Sequence, residues 1–239
     1  MKKVLLLALV LLLALSLLTA CGEDNGNGGS NQSPAGNSTS TPVLTNPPIK
    51  RTVDVPDNPL NLTDDSIYFV IIDGVKINVL TATVQDFLNI GFYFNKDEDY
   101  NENSEVAANS ISDYNWSNMG ARLYKEGTKS CIYISAINLT NHSLPMKDCE
   151  ISSVYFDERI GSEFDVSTVC NLSYGCTEEE IISVFGERSN DVFDENLYKR
   201  GIIRYHADGH GEFYFHSVKR NGEVVFHQVG VYTTKMPTS

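Results

Sequence analysis

An α+β fold is expected for this 239-residue chain: two tandem modules of strand, short helix and antiparallel strands, standing apart or sharing one curved sheet. Three observations carry that expectation. Runs rich in β-branched and aromatic residues are punctuated by turn dipeptides, Asp73-Gly74 and Asn221-Gly222 among them. Two short segments with an apolar stripe each end at a glycine, Gly91 and Gly186. The order strand, helix, strands occurs twice, over about residues 61–160 and 161–235.

The elements follow in order. "IYFVIIDGVKINV", residues 67–79, reads as a hairpin about Asp73-Gly74. Val84, Phe87 and Leu88 give the first helix its stripe, and an extended segment resumes at Phe92. Asn95 to Asn118 is polar and reads as a long loop with room for one helical turn. Ser130 to Asn138 and Asp148 to Phe156 are strands flanking a connection that contains Pro145. Asp165 to Tyr174 is strand-like. In "TEEEIISVFG", Thr177 and Glu180 are spaced as a capping box, and three glutamates fill the first turn, where the helix dipole favours them. Ile181, Ile182 and Phe185 form its stripe. Three strands then form a meander: Leu197–Ala207, Glu212–Lys219 and Val224–Tyr232.

Ahead of the fold stands a different chemistry. Met1-Lys2-Lys3 is a positive start, Val4 to Ala20 is uncharged and rich in leucine, and the run stops at Cys21. Leu18-Thr19-Ala20-Cys21 resembles a bacterial lipobox. That resemblance implies a signal peptide over residues 1–20, a diacylglyceryl group on Cys21 and a mature chain beginning there. Acyl chains then anchor the protein, at about 0.8 kcal/mol per buried methylene. From Gly22 to Pro48, 21 of 27 residues are Gly, Asn, Ser, Thr or Pro, too few apolar groups to offset the entropy of ordering. Residues 21–60 are therefore assigned to the lipidated cysteine and its tether; the coil spans roughly 30 Å.

The net charge is −13, and loss of residues 1–20 removes Lys2 and Lys3 and no acid, giving −15. An acidic chain without a basic cluster excludes nucleic acid as the expected partner and leaves the lipid to hold the membrane. Besides Cys21 there are Cys131, Cys149, Cys170 and Cys176, an even set in an exported chain. Cys131 and Cys149, on strands joined by a short connection, are the expected disulfide.

"NLSYGCTEEEIISVFGERSN", followed by three strands ending "FYFHSVKRNGEVVFHQVGV", resembles the repeat unit of the β-lactamase-inhibitor-protein-like class, which includes small outer-membrane assembly lipoproteins. With the upstream "DGVKINVLTATVQDFLNIGF" and "KDCEI" segments, the chain also resembles uncharacterised lipoproteins of Gram-positive anaerobes. Glu187 stands where the class often has proline after the helix-stop glycine. The resemblance implies the fold over about residues 67–232 and an envelope location, and no catalytic residue.

No Gly-x-Ser-x-Gly, His-Glu-x-x-His, P-loop or dinucleotide fingerprint is present, and no cofactor is expected. Asp97, Asp99 and Asn101 alternate like calcium ligands, but Glu102 and Ala108 stand where an EF-hand needs glycine and glutamate. A two-residue turn at Asn221-Gly222 sets His216 directly opposite His227, on a face shared with Tyr214, Val218, Val225 and Val229. Such a pair is a weak candidate to share a metal ion or to sense pH; the plainer reading is two ordinary sheet residues. His206 and His210 border a turn and are expected to be exposed. The opposite face then carries Phe213, Phe215, Ser217, Phe226 and Gln228. These residues form either a binding patch on an open sheet face or, if the faces are the other way round, the core. Together these features point to a lipid-anchored, extracytoplasmic, non-enzymatic binding domain for a protein or envelope component. An envelope enzyme and a structural spacer are the alternatives.

Overall fold

The computed structural model describes residues 51–97, 99–112, 120–161, 163–187, 201–220, 222–233 and 235. Residues 1–50, with the expected signal peptide, Cys21 and most of the expected tether, lie outside them. The thirteen strands among the described residues are β1 Phe69–Ile72, β2 Val75–Asn78, β3 Phe92–Tyr93, β4 Glu105–Val106, β5 Ser110–Ile111, β6 Ala121–Lys125, β7 Cys131–Asn138, β8 Leu144–Pro145, β9 Glu150–Asp157, β10 Val166–Ser167, β11 Ile202–His206, β12 Gly211–Arg220 and β13 Glu223–Thr233. Helices run over Val84–Asn89 and Glu178–Phe185, and a single helical turn over Glu158–Gly161.

The fold is α+β and dominated by one antiparallel sheet of eight strands. Its order is β11-β12-β13-β9-β7-β6-β3, with β5 also pairing to β7. A three-stranded sheet, β10-β1-β2, and the pair β4-β8 complete it. Both larger sheets cross the expected module boundary near residue 160. β13 pairs with β9, Val229 opposite Phe156, and β10 pairs with β1, Ser167 opposite Ile71. Of the two arrangements open to the sequence, the shared sheet is the one that forms.

Local chemistry accounts for the turns and helices. Asp73 and Gly74 both have positive φ, 49° and 82°, as a type I′ hairpin requires. Thr177 and Glu180 exchange hydrogen bonds with each other's backbone N–H, closing the capping box. Ile181, Val184 and Phe185 are its buried residues, whereas Ile182, placed in the stripe by the sequence, is half-buried.

One face of the large sheet is the core. Phe213 and Phe215 are fully buried, and Phe226 is 1 % exposed. Tyr68, the residue just ahead of β1, stacks on Phe213 at 5.0 Å between ring centroids, and Phe185 from the helix packs on Phe213 at 4.9 Å and on Phe215 at 6.1 Å. Aromatic pairs at these distances add to the burial of their area. Residues 51–60, assigned to the tether by the sequence, lie against the folded body. The Asp54 N–H donates to the Cys170 carbonyl, the Leu60 N–H donates to the Val184 carbonyl, and Arg51 pairs with Asp165.

Three sequence expectations are corrected. Cys131 and Cys149 are buried thiols that form no disulfide. β7 and β9 are antiparallel, with Tyr133 opposite Tyr155 and Ile137 opposite Glu150, so the two sulfurs sit at opposite ends of the hairpin. At about 3.3 Å per residue that is roughly 20 Å, beyond any disulfide. Second, Asp165–Tyr174 is a strand only over Val166–Ser167. The Thr168 N–H donates to the Leu172 carbonyl and turns the chain back through Cys170 and Asn171, both left-handed at φ 56° and 58°. Third, the polar stretch from Asn95 holds β4 and β5 and, among its described residues, no helical turn; residues 113–119 lie outside the described set.

Candidate functional site

The opposite face of the eight-stranded sheet is where polar chemistry gathers. One cross-strand row runs over six strands: Arg122 on β6, Tyr133 on β7, Tyr155 on β9, Gly230 on β13, Tyr214 on β12 and Arg204 on β11. Tyr133 and Tyr155 have ring centroids 5.9 Å apart, Tyr155 and Tyr214 5.8 Å, and Tyr214 and Tyr232 5.9 Å. The Arg122 guanidinium lies 5.6 Å from the Tyr133 ring, within cation–π range. Arg204 is held in a bidentate pair with Glu212. Gly230 makes the row continuous. A Cβ there would stand 2.8 Å from the Tyr232 ring and 3.0 Å from the Tyr155 ring, so the missing side chain is the space those rings fill.

Tyr133, Tyr214 and Tyr232 are half-exposed, and Arg122 is exposed. Burial raises the Tyr133 and Tyr155 hydroxyl pKa and pushes that of Tyr214 up to about 12. Near neutral pH the three remain uncharged phenols.

A second row beside it is a hydrogen-bonded network. Asp157, at 2 % exposure, is opposite Gln228, and Gln228 is opposite His216. The Glu158–Gly161 turn folds the Arg159 side chain back over Asp157. Arg159 Nε donates to both carboxylate oxygens, at 2.9 and 3.1 Å, and its backbone N–H donates at 2.8 Å. Gln228 Nε2 donates to Asp157 Oδ2, and His216 Nδ1 lies 2.7 Å from Gln228 Oε1. His227 Nδ1 stands 3.7 Å from Asp157 Oδ1, too far for a hydrogen bond and close enough for a charge to be felt. Burial would raise the carboxyl pKa of Asp157. His227, Arg159 and Gln228 outweigh it and hold the group far below the ordinary carboxylate range.

The structure moves several site residues. Phe213, Phe215 and Phe226 are the core face, not an open patch. Gln228 is not on that face at all, because β13 carries a bulge. Ser217 pairs with Phe226, but His216 pairs with Gln228, leaving His227 as the extra residue. Beyond the bulge the alternation reverses. Val229 joins the phenylalanines inside, and Gln228 turns to the tyrosine face. His216 is therefore not opposite His227, yet the bulge keeps their rings 5.2 Å apart. His206 and His210 are half-buried rather than exposed, and His210 Nδ1 lies 2.8 Å from Asp65 Oδ1.

Asp157, Arg159 and the tyrosine row were not singled out from sequence. Two signals carry them. The core-facing residues Phe226, Val229 and Val231 are spaced three and then two apart, which demands a bulge between them. Alternate positions of β7, β9 and β12 hold Tyr133, Tyr155 and Tyr214. A shallow open concavity of about 370 Å³ near Tyr93 and Gly127 gathers only Glu126 as a charged side chain, and is the weaker candidate.

No family model, curated protein or solved structure matches the chain.

Proposed function

We infer that this is a lipid-anchored, extracytoplasmic protein that acts by binding, and that the tyrosine face of the sheet is where it meets a protein or another component of the envelope. The lipobox-like Leu18-Thr19-Ala20-Cys21 and the Gly/Asn/Ser/Thr/Pro tether support the anchoring. Among the described residues no helix is long and apolar enough to cross a membrane. The observation that carries the binding reading is the row from Arg122 through Tyr133, Tyr155 and Tyr214 to Arg204, because tyrosine and arginine are the residues enriched at interfaces. Tyrosine presents a broad ring at low entropic cost and keeps a hydroxyl for a directed bond.

The experiment is chemical cross-linking of the lipidated protein in its native membranes, followed by mass spectrometry of captured species. It is done in parallel with a Tyr133→Ser/Tyr214→Ser variant whose folding is verified by circular dichroism. A recurrent species lost in the variant supports the reading. A species captured equally by both moves the site off this face. Recovery of nothing overturns binding in favour of an envelope enzyme or a spacer.

A further inference from the structure

We propose that His216 and His227 form a two-imidazole site for one transition-metal ion of the zinc, copper and nickel class, oriented from behind by Gln228 and Asp157. Arg159 donates to both oxygens of Asp157, which therefore accepts on each, and the Gln228 group facing it is the amide NH₂. That turns Gln228 Oε1 toward His216, and an amide oxygen can only accept, so His216 Nδ1 carries the proton. The His216 lone pair is therefore on Nε2. His227 presents its own Nδ1 to Asp157 Oδ1, which likewise leaves Nε2 on the far side of the ring. Both rings thus turn their Nδ1 atoms to the same row and their Nε2 atoms away from it.

His216 is prepared as metal-binding histidines are, its second nitrogen donating to a carbonyl oxygen that fixes tautomer and ring angle, while the Asp157 carboxylate faces the second nitrogen of His227 at 3.7 Å. The spacing agrees. Two imidazoles bound at about 2.0–2.1 Å around a tetrahedral ion have centroids roughly 5 Å apart. The rings of His216 and His227 are 5.2 Å apart, inclined at 46°. Imidazole suits zinc, copper and nickel, and disfavours calcium and magnesium. His227 is 7 % exposed and His216 half-exposed, so the ion would sit at the surface of the sheet face. Among the described residues no group of three or more His, Cys, Asp or Glu ligands forms, so the remaining positions belong to water or to a donor on a bound partner. Cys149, Cys170 and Cys176 do not compete strongly: burial raises the Cys170 thiol pKa, that of Cys149 to about 11 and that of Cys176 to about 12, so these three stay protonated near neutral pH.

The test is calorimetric titration of the full chain in detergent with Zn²⁺ and, separately, Cu²⁺, alongside His216→Ala, His227→Ala and His206→Ala. One ion per chain is expected, with affinity falling at least ~10-fold in each of the first two variants and unchanged in His206→Ala. Gln228→Leu, which keeps both histidines and removes the hydrogen bond that orients His216, should weaken binding by about 10–100-fold. Because His227→Ala removes a nearly buried side chain, imidazole nitrogen NMR of the unsubstituted protein is the second measurement. It should show His216 as the Nδ1–H tautomer and both Nε2 signals shifting together on adding Zn²⁺. No saturable binding, binding indifferent to His216→Ala, or an Nε2–H tautomer at His216 would each overturn the proposal.

Discussion

On one face of the eight-stranded sheet Phe213 and Phe215 are fully buried beneath Tyr68 and Phe185; one residue along the same strand, Tyr214 and His216 stand half-exposed on the other face. The two faces carry a similar density of aromatic rings, so hydrophobicity alone does not say which is inside. What separates them is the polar atom. Phenylalanine has none to satisfy and can be sealed against helix and small sheet. Tyrosine and histidine must keep a partner or water. The tyrosine face meets that need with a buried carboxylate bonded by Arg159 and Gln228, and with rings that lean on one another over Gly230. One face holds the fold together by area, the other by directed bonds.

The sharpest way to break that contrast is to truncate a ring on each side. Phe213→Ala should cost about 3–5 kcal/mol, the loss of a fully buried ring plus its cavity. Tyr133→Ala, on the half-exposed face, should cost clearly less. Urea unfolding followed by circular dichroism measures both. Equal losses would mean that the tyrosine face is covered in solution and that the two faces are not distinct.

The contrast also shows what could be read without coordinates. The hairpin at Asp73-Gly74, both helices with their glycine stops, and the meander were legible because turn and cap chemistry is local. The assignment of faces was not, since it depends on a single extra residue. Counting back from the Asn221-Gly222 turn without a bulge puts Gln228 under the phenylalanines and Val229 outside; the bulge at His227 exchanges them. The short strands β4, β5 and β8 were missed for a related reason. Two residues carry no period, and only their partners across the sheet make them strands. Asp157 escaped notice because a lone aspartate at the end of a strand looks like a solvated loop residue until Gln228 and Arg159 converge on it from elsewhere.

A second prediction isolates the directed bonds. The folded state lowers the Asp157 pKa, so it binds that proton less tightly than the unfolded chain does. The resulting stabilisation is present above about pH 4, the ordinary aspartate value, and is lost as pH falls below it. Asp157→Asn presents an NH₂ where donors already point. It should remove on the order of 2–3 kcal/mol near pH 7 and flatten this part of the acid limb. Chemical denaturation at several pH values between 2 and 7 checks it. An unchanged acid limb in the variant would show that the network contributes nothing to the pH dependence.

The smallest expected effect lies where the two kinds of packing meet. Gly230 sits mid-strand, where glycine ordinarily weakens a sheet and alanine would be the better residue. Here the added methyl would come 2.8 Å from Cε2 of Tyr232 and 3.0 Å from Cδ2 of Tyr155, closer than such contacts normally run. Tyr232 is half-exposed and can swing outward; Tyr155 is 6 % exposed and cannot do so freely. The strain is thus relieved in part, and part of the remainder is offset by the entropy that alanine saves in the unfolded chain. Gly230→Ala should therefore destabilise by about 1 kcal/mol, at the low end for overpacking. It should also shift the ring proton resonances of Tyr155, Tyr214 and Tyr232 while leaving those of Phe213 and Phe215 in place. A stabilised variant with unmoved tyrosine signals would mean that the rings do not pack over Gly230, and the continuous row across the sheet would lose its central support.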